Sequence, residues 1–155
     1  MVRRMGMLVM AGWLAMAAGC QARPKSGTTV GGDAQAIQGR WVVVSCVANG
    51  EPVASGELEN LTWTFTGHEL LWSDGSSFYY AIDPASTPKA IDLRFPENPA
   101  EITHGIYTLS GAGTGGGGTL EVCIAKKDGR PKAFASPPGE QQYLYTLRRD
   151  DGTAR

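Results

Sequence analysis

The sequence has few of the residues from which catalytic and metal centres are built. It contains two histidines, His68 and His104, and three cysteines among 155 residues, and neither an HExxH nor a CxxC pattern occurs. A Gly-x-Ser-x-Gly elbow is also missing, and the carboxylates are scattered through turns and polar strand positions. We therefore expect no catalytic residues, no metal and no cofactor, and we do not expect an enzyme.

The charge balance and the apolar runs exclude two further classes of protein. The chain contains 14 Lys and Arg residues and 15 Asp and Glu residues, which gives a formal net charge of −1. Nucleic-acid-binding domains are usually strongly basic. The apolar run from Met5 to Ala18 is shorter than the about 20 residues that a transmembrane helix requires. We expect neither nucleic-acid binding nor a membrane-spanning helix.

The N-terminus instead carries a targeting pattern. Arg3 and Arg4 precede the apolar run, and the residues Ala-Ala-Gly-Cys follow at positions 17–20. This arrangement resembles the signal peptide and lipobox of a bacterial lipoprotein, although that pattern prefers Leu where Ala17 stands. The resemblance implies lipidation of Cys20 and anchoring to the cell envelope, and Gln21, rather than Asp, implies the outer membrane over the inner. The alternative is an ordinary cleaved secretion signal, and both place the domain outside the cytoplasm.

Cleavage after residue 19 of 155 would leave 136 residues, which suits a single domain. Residues 20–36 combine small and turn-forming residues without an apolar period, so we predict a flexible tether. We predict the folded domain over residues 37–150 and a disordered tail over residues 151–155.

The folded region predicts an all-β protein. Twenty-one glycines and nine prolines separate short runs with alternating apolar residues, as in Leu61, Trp63 and Phe65. The connections lack a convincing crossover helix, so neighbouring strands should be antiparallel, and closure would remove the sheet edges. We predict a single eight-stranded antiparallel up-and-down barrel. Its strands are Trp41–Ala48, Leu61–Thr66, Glu69–Ser73, Phe78–Asp83, Ala90–Phe95, Gly105–Leu109, Thr119–Ala125 and Gln142–Arg149.

The first and last strands of the predicted barrel together carry a partial lipocalin signature. Gly39 and Trp41 form a Gly-x-Trp motif at the first strand, and Arg148 and Arg149 end the last strand. The chain resembles lipocalins here, which implies that one of these arginines covers the Trp41 ring and closes the barrel. The lipocalin Thr-Asp-x-x-x-Tyr segment has no counterpart.

A longer resemblance covers residues 38–149. The chain is similar to a lipocalin-like domain of unknown function found in planctomycete bacteria, often behind lipoprotein signals. The matching pieces are residues 38–41, 49–53, 88–93, 105–109 with 120–123, 130–134 and 147–149. This resemblance implies the barrel fold and brings no activity.

The interior of the predicted barrel leaves two functions open. Eight-stranded barrels are either just filled by side chains or hold one small ligand. In the first hypothesis the module binds a small apolar or aromatic ligand, and the candidate wall residues are Trp63, Phe65, Trp72, Tyr80 and Tyr107. In the second, the lumen is solid and the protein is a structural or interaction protein of the cell envelope.

Three smaller features complete the predictions. An oxidising compartment favours a disulfide between Cys46 and Cys123, but the predicted strand order keeps them more than one strand apart, so we predict two free thiols. The basic segment Lys126–Lys132 is predicted to be a solvated loop. Residues 55–59 predict one helical turn capped by Ser55.

Overall fold

The computed structural model describes residues 30–111, 117–126 and 129–152. These residues form one short helix, one 3-10 turn (Ser55–Glu57) and nine strands. The elements are α1 (Val30–Ala36), β1 (Gly39–Ala48), β2 (Glu51–Pro52), β3 (Thr62–Thr66), β4 (Glu69–Trp72), β5 (Ser77–Asp83), β6 (Ala90–Phe95), β7 (Asn98–Ser110), β8 (Thr119–Ala125) and β9 (Gln142–Arg149).

The long strands form a closed antiparallel barrel. The strands are ordered along the chain as β1-β3-β4-β5-β6-β7-β8-β9, and β9 pairs with β1 to close the barrel. The short strand β2 pairs only with the last two residues of β1. The predicted eight-stranded up-and-down barrel is confirmed. We call the end that carries α1 and the start of β1 the helix end, and the end that carries the β4–β5 and β8–β9 connections the loop end.

A single apolar core lies inside the barrel between these ends. Trp41, Trp63 and Leu147 are completely buried in it, as the alternation of apolar residues along the strands requires. Gly105 allows β7 to approach its neighbours, because a Cβ atom there would lie 2.9 Å from the Cys123 carbonyl oxygen and 3.0 Å from Ile91 Cγ2. The strands and core residues of the barrel therefore all lie within residues 37–149.

The outer face of the barrel is covered in one place. Ile106 and Cys123 are paired across β7 and β8 and are completely buried, although both lie on the face opposite the core. The Cys123 thiol donates to the Ala135 carbonyl at 3.2 Å, so the connection between β8 and β9 lies across these strands. The described part of the basic segment is not simply solvated, because Pro131 is buried and Arg130 is half-buried.

Three local predictions differ from the structure, apart from strand ends that shift by one or two residues. Residues 30–36 form α1 rather than the end of a flexible tether, because contacts with the barrel described below hold this segment. Strand β7 begins at Asn98, seven residues before the predicted Gly105, in an exposed stretch that shows no apolar alternation. Residues 55–57 do form a turn, but Ala54 stands at its N-cap position and no side chain caps it, so the Ser55 cap was wrong.

Several sequence predictions lie outside the described residues. These include the signal peptide, the lipidated Cys20, most of the tether and the last three residues of the tail. Within the described segments, α1 is much too short to span a bilayer, and no other helix could do so.

Candidate functional site

The helix end is closed by the contact between Trp41 and Arg149. The two residues are direct partners across β1 and β9, so their side chains lie on the same face, and the guanidinium carbon lies 4.4 Å from the Trp41 ring centroid. Arg149 also donates hydrogen bonds to the Ala36 and Gln38 carbonyls. Arg148 pairs with Val42 on the opposite face and is exposed. Of the two predicted arginines, Arg149 is therefore the one that covers Trp41.

Gly39 has a local role in this closure. Its φ of +103° is one that residues with a side chain rarely adopt, and a Cβ atom there would lie 3.1 Å from Arg149 Nη1. The Trp41 indole N–H donates to the Ile37 carbonyl at 2.8 Å. The missing side chain at Gly39 therefore leaves space for the Arg149 guanidinium, and the Ile37 carbonyl accepts the hydrogen bond of the Trp41 indole.

Helix α1 is held against the helix end by Asp33. Lys89 Nζ donates to Asp33 Oδ2 at 2.6 Å, and the Tyr107 hydroxyl donates to the same oxygen at 2.7 Å. Burial alone would raise the pKa of Asp33, but these two hydrogen bonds and the Lys89 charge together lower it. Burial and the nearby Asp33 raise the pKa of Tyr107. Asp33 is thus ionised and Tyr107 neutral at neutral pH.

Three of the five candidate wall residues serve this closed end. Tyr107 binds Asp33, and the Tyr80 hydroxyl donates to the Gly67 carbonyl at 2.9 Å and receives a hydrogen bond from the Gln38 amide at 2.7 Å. Phe65 packs edge-on against Tyr80, with ring centroids 4.9 Å apart. All three side chains are buried, and the two tyrosine hydroxyls are hydrogen-bonded. Phe65, Tyr80 and Tyr107 therefore act as packing residues rather than as a ligand wall.

The other two wall residues, Trp63 and Trp72, meet at the loop end. They face each other across β3 and β4, and their rings stack with centroids 5.0 Å apart and an interplanar angle of 10°. The Tyr145 ring lies 4.9 Å from Trp63, and the Phe78 ring lies 4.8 Å from Trp72. We call these four residues the aromatic cluster.

The aromatic cluster continues to the surface of the loop end. Trp72 and Tyr145 are only partly buried, and Tyr143 stacks beside Tyr145 at 6.3 Å. Phe95, which is 38% exposed, packs against Phe78 at 4.8 Å. The loop end therefore presents aromatic surface, whereas polar contacts seal the helix end.

The aromatic cluster contains two unsatisfied donors. The indole Nε1 atoms of Trp63 and Trp72 are both buried, and neither has an acceptor among the described residues. Trp41 shows the ordinary situation, because its buried indole is hydrogen-bonded. A buried donor without a partner costs about 1 to 3 kcal/mol, so two in one stacked pair need an explanation.

Two titratable groups, Cys46 and Tyr145, lie in contact at the cluster, and Asp74 in the β4–β5 connection also acts electrostatically on Tyr145. Burial raises the pKa of the Cys46 thiol, and its hydrogen bond with Tyr145 offsets this in part. Burial, and then the neighbouring Cys46 and Tyr143, raise the pKa of Tyr145. Both groups are neutral at neutral pH. At the rim, Lys126 Nζ lies 4.8 Å from the Tyr143 ring centroid.

A second group of polar residues lies on the outer face of the barrel. Arg130 donates to Asp92 Oδ1 at 2.7 Å and to the Ile91 and Gly105 carbonyls, and His104 Nδ1 lies 2.9 Å from the same Asp92 oxygen. These contacts fix the β8–β9 connection on the barrel. Beside them runs a groove of about 830 Å³, bounded by Arg130, Lys132 and the turn before β6.

Sequence reasoning named the aromatic residues but missed the polar ones. Asp33 and Arg130 were assigned to a tether and a solvated loop, and in the sequence neither has a neighbour that indicates its distant partner. In the part of the chain that the structure describes, no three His, Cys, Asp or Glu side chains gather closely enough to hold a metal ion. Comparison of the chain with known protein families, curated proteins and solved structures found no match.

Proposed function

We propose that this protein is a lipid-anchored, extracytoplasmic, lipocalin-like module that binds a small apolar or aromatic molecule at the loop end of its barrel. The observation that carries the proposal is the aromatic cluster, which runs from the buried Trp63 to the partly exposed Trp72 and Tyr145. Small-molecule sites are concave and mostly lined by apolar and aromatic side chains, with few polar groups. The loop end has this composition.

The contrast between the two ends of the barrel supports this choice of site. At the helix end, Asp33, Gln38 and Arg149 are engaged in hydrogen bonds that a ligand would have to break. At the loop end, a ligand would instead cover aromatic surface that now faces water. Covering apolar surface is favourable by about 25 cal/mol per Å².

The anchor and the location rest on the N-terminal pattern. The charged start, the short apolar run and the small residues before Cys20 support export and lipidation. The resemblance to lipocalin-like domains behind lipoprotein signals agrees with this. Labelling cells with a clickable palmitate analogue should tag the wild-type protein and leave Cys20→Ser untagged. Equal labelling of the two proteins would contradict lipidation at Cys20.

The second candidate function is an interaction protein of the cell envelope with a solid lumen. It is favoured by the rings of the aromatic cluster, which already contact each other at about 5 Å. The outer face also exposes Leu71 and Tyr79, at 51% and 47%, on the neighbouring strands β4 and β5. In this reading the cluster is a part of the core, and partners contact the outside of the barrel.

A titration with 2-ethylnaphthalene separates the two candidates. The protein used is residues 21–155, which contain every described strand and the whole core. Saturable one-to-one binding that Tyr145→Ala weakens at least about fivefold would support the loop-end site. Tyr79→Ala is the matched control, because Tyr79 is exposed on the outer face and should leave the affinity unchanged. Absence of saturation up to the solubility limit would favour the solid lumen.

A further inference from the structure

We infer that the ligand of the loop end is a neutral aromatic molecule bearing a hydrogen-bond acceptor, such as a ketone or amide carbonyl, that accepts from the Trp63 and Trp72 indoles. This inference rests on the proposed function and adds the chemical class of the ligand. It comes from the two buried indole N–H groups that have no acceptor in the part of the chain described.

The position of the donors places the acceptor inside the barrel. Trp63 is completely buried, so an acceptor that reaches its N–H must pass the cluster and enter the lumen. Trp72 stacks on Trp63 and is partly exposed, which makes it the residue through which a planar molecule can approach. Aromatic rings pair well in offset or tilted arrangements, and Tyr145 and Phe78 offer such faces on either side.

The charges around the donors favour a neutral acceptor over a carboxylate. Cys46 and Tyr145 are uncharged at neutral pH, and Lys126 lies at the rim, against Tyr143, rather than among the indoles. A buried carboxylate without a paired cation is strongly disfavoured. A carbonyl oxygen has two lone pairs and no charge, so it can accept from one or both indoles at little cost.

The test compares 2-acetylnaphthalene with 2-ethylnaphthalene, which share a ring system and differ in the carbonyl. We expect residues 21–155 to bind the ketone about tenfold more tightly, the effect of one hydrogen bond of ordinary strength. In a ¹H–¹⁵N spectrum, the ketone should move the indole resonances of Trp63 and Trp72 downfield. The indole of Trp41 is the internal control, because its N–H already donates to Ile37.

A matched substitution assigns the effect to the indole nitrogen. Trp63→Phe keeps an aromatic ring and removes the N–H, so the ratio of the two affinities should fall toward one, whatever the variant does to the affinity for 2-ethylnaphthalene. If Trp63→Phe does not fold, Trp72→Phe at the partly exposed position serves the same purpose. Tyr79→Phe on the outer face should preserve the full preference.

The possible results separate this inference from the proposed function. If neither compound binds, both are wrong. If both bind equally and the two indole resonances do not respond to the carbonyl, the acceptor inference is wrong and the binding function stands. If the ketone is preferred but both phenylalanine variants keep that preference, its carbonyl meets another donor, and the assignment to Trp63 and Trp72 is overturned.

Discussion

Arg149 stands directly opposite Trp41 in the register between the last and first strands, with its guanidinium 4.4 Å from the indole ring centroid. The same guanidinium donates to the carbonyls of Ala36, the last residue of α1, and Gln38, which precedes β1. One side chain therefore connects the two strands that close the barrel with the segment that covers its helix end. A cation over an indole face adds about 0.5 to 2 kcal/mol, in addition to these hydrogen bonds.

Arg149→Gln should lower the free energy of unfolding by about 2 kcal/mol, because it removes the ring contact and the charged hydrogen bonds. Arg148→Gln is the matched control, since Arg148 is the exposed neighbour on the other face, and it should cost less than about 0.5 kcal/mol. Urea titrations of residues 21–155 measure both values. Equal losses for the two variants would contradict the assigned role of Arg149.

Asp33 should make the stability dependent on pH in the acid range. Its pKa in the folded state is lowered from the ordinary value of 3.8, so its stabilising contribution is full above that value and is lost as pH falls through the lower folded pKa. At about pH 7, Asp33→Asn should cost about 2 kcal/mol relative to the wild type. Denaturant titrations at decreasing pH should show this difference shrinking below about pH 4. A difference that stays constant down to about pH 2 would contradict the ionised contact with Lys89 and Tyr107.

Gly105→Ala should destabilise the barrel by about 1 to 3 kcal/mol, the usual cost of forcing atoms into a packed site. The new Cβ would lie 2.9 Å from the Cys123 carbonyl oxygen, which belongs to the backbone of β8 and cannot turn away. Gly56→Ala in the 3-10 turn is the control, because nothing lies within 4 Å of a Cβ there. Thermal unfolding of both variants tests the prediction, and similar melting temperatures would show that β7 and β8 tolerate a wider spacing.

Cys46 and Cys123 should both react with an alkylating reagent when the protein is denatured without reduction. Both are free thiols; Cys46 belongs to the core, whereas Cys123 contacts the β8–β9 connection on the outer face. Strand β9 lies between them, as the predicted order of the strands required. Mass spectrometry of residues 21–155 should show two adducts, and Cys46→Ala should show one. A mass two hydrogens lower with no adduct would reveal a disulfide.

Strands with a clear alternation of apolar and polar residues could be predicted most directly from the sequence. Leu61–Thr66 and Ala90–Phe95 alternate in this way, so their place in the barrel was readable from the sequence. Residues 98–101 at the start of β7 are exposed on both faces, and α1 contains two glycines and no apolar period. These two segments are positioned by partners far along the chain, so a local pattern does not reveal them.

The candidate site was readable only in part, for a similar reason. Alternation identified inward aromatic residues but did not show that Tyr80 and Tyr107 bind the segment around α1. The choice between Arg148 and Arg149 depends on the β1–β9 register, in which a shift of one residue exchanges the two faces. Whether the Trp63 and Trp72 indoles have a hydrogen-bond acceptor depends on all of their neighbours in the folded barrel, and no local pattern in the sequence identifies these.

The attachment of α1 to the helix end bears on the orientation that the proposed lipid anchor would impose. Nine residues separate Cys20 from Val30, and the ten residue steps between them extend at most about 35 Å. Because Asp33 and Lys89 hold the helix against the barrel, a lipid on Cys20 would bring the helix end nearest the bilayer and leave the aromatic cluster on the far side. A ligand site there would open to the aqueous compartment, and a molecule dissolved in the membrane would have to leave the lipid before it could bind.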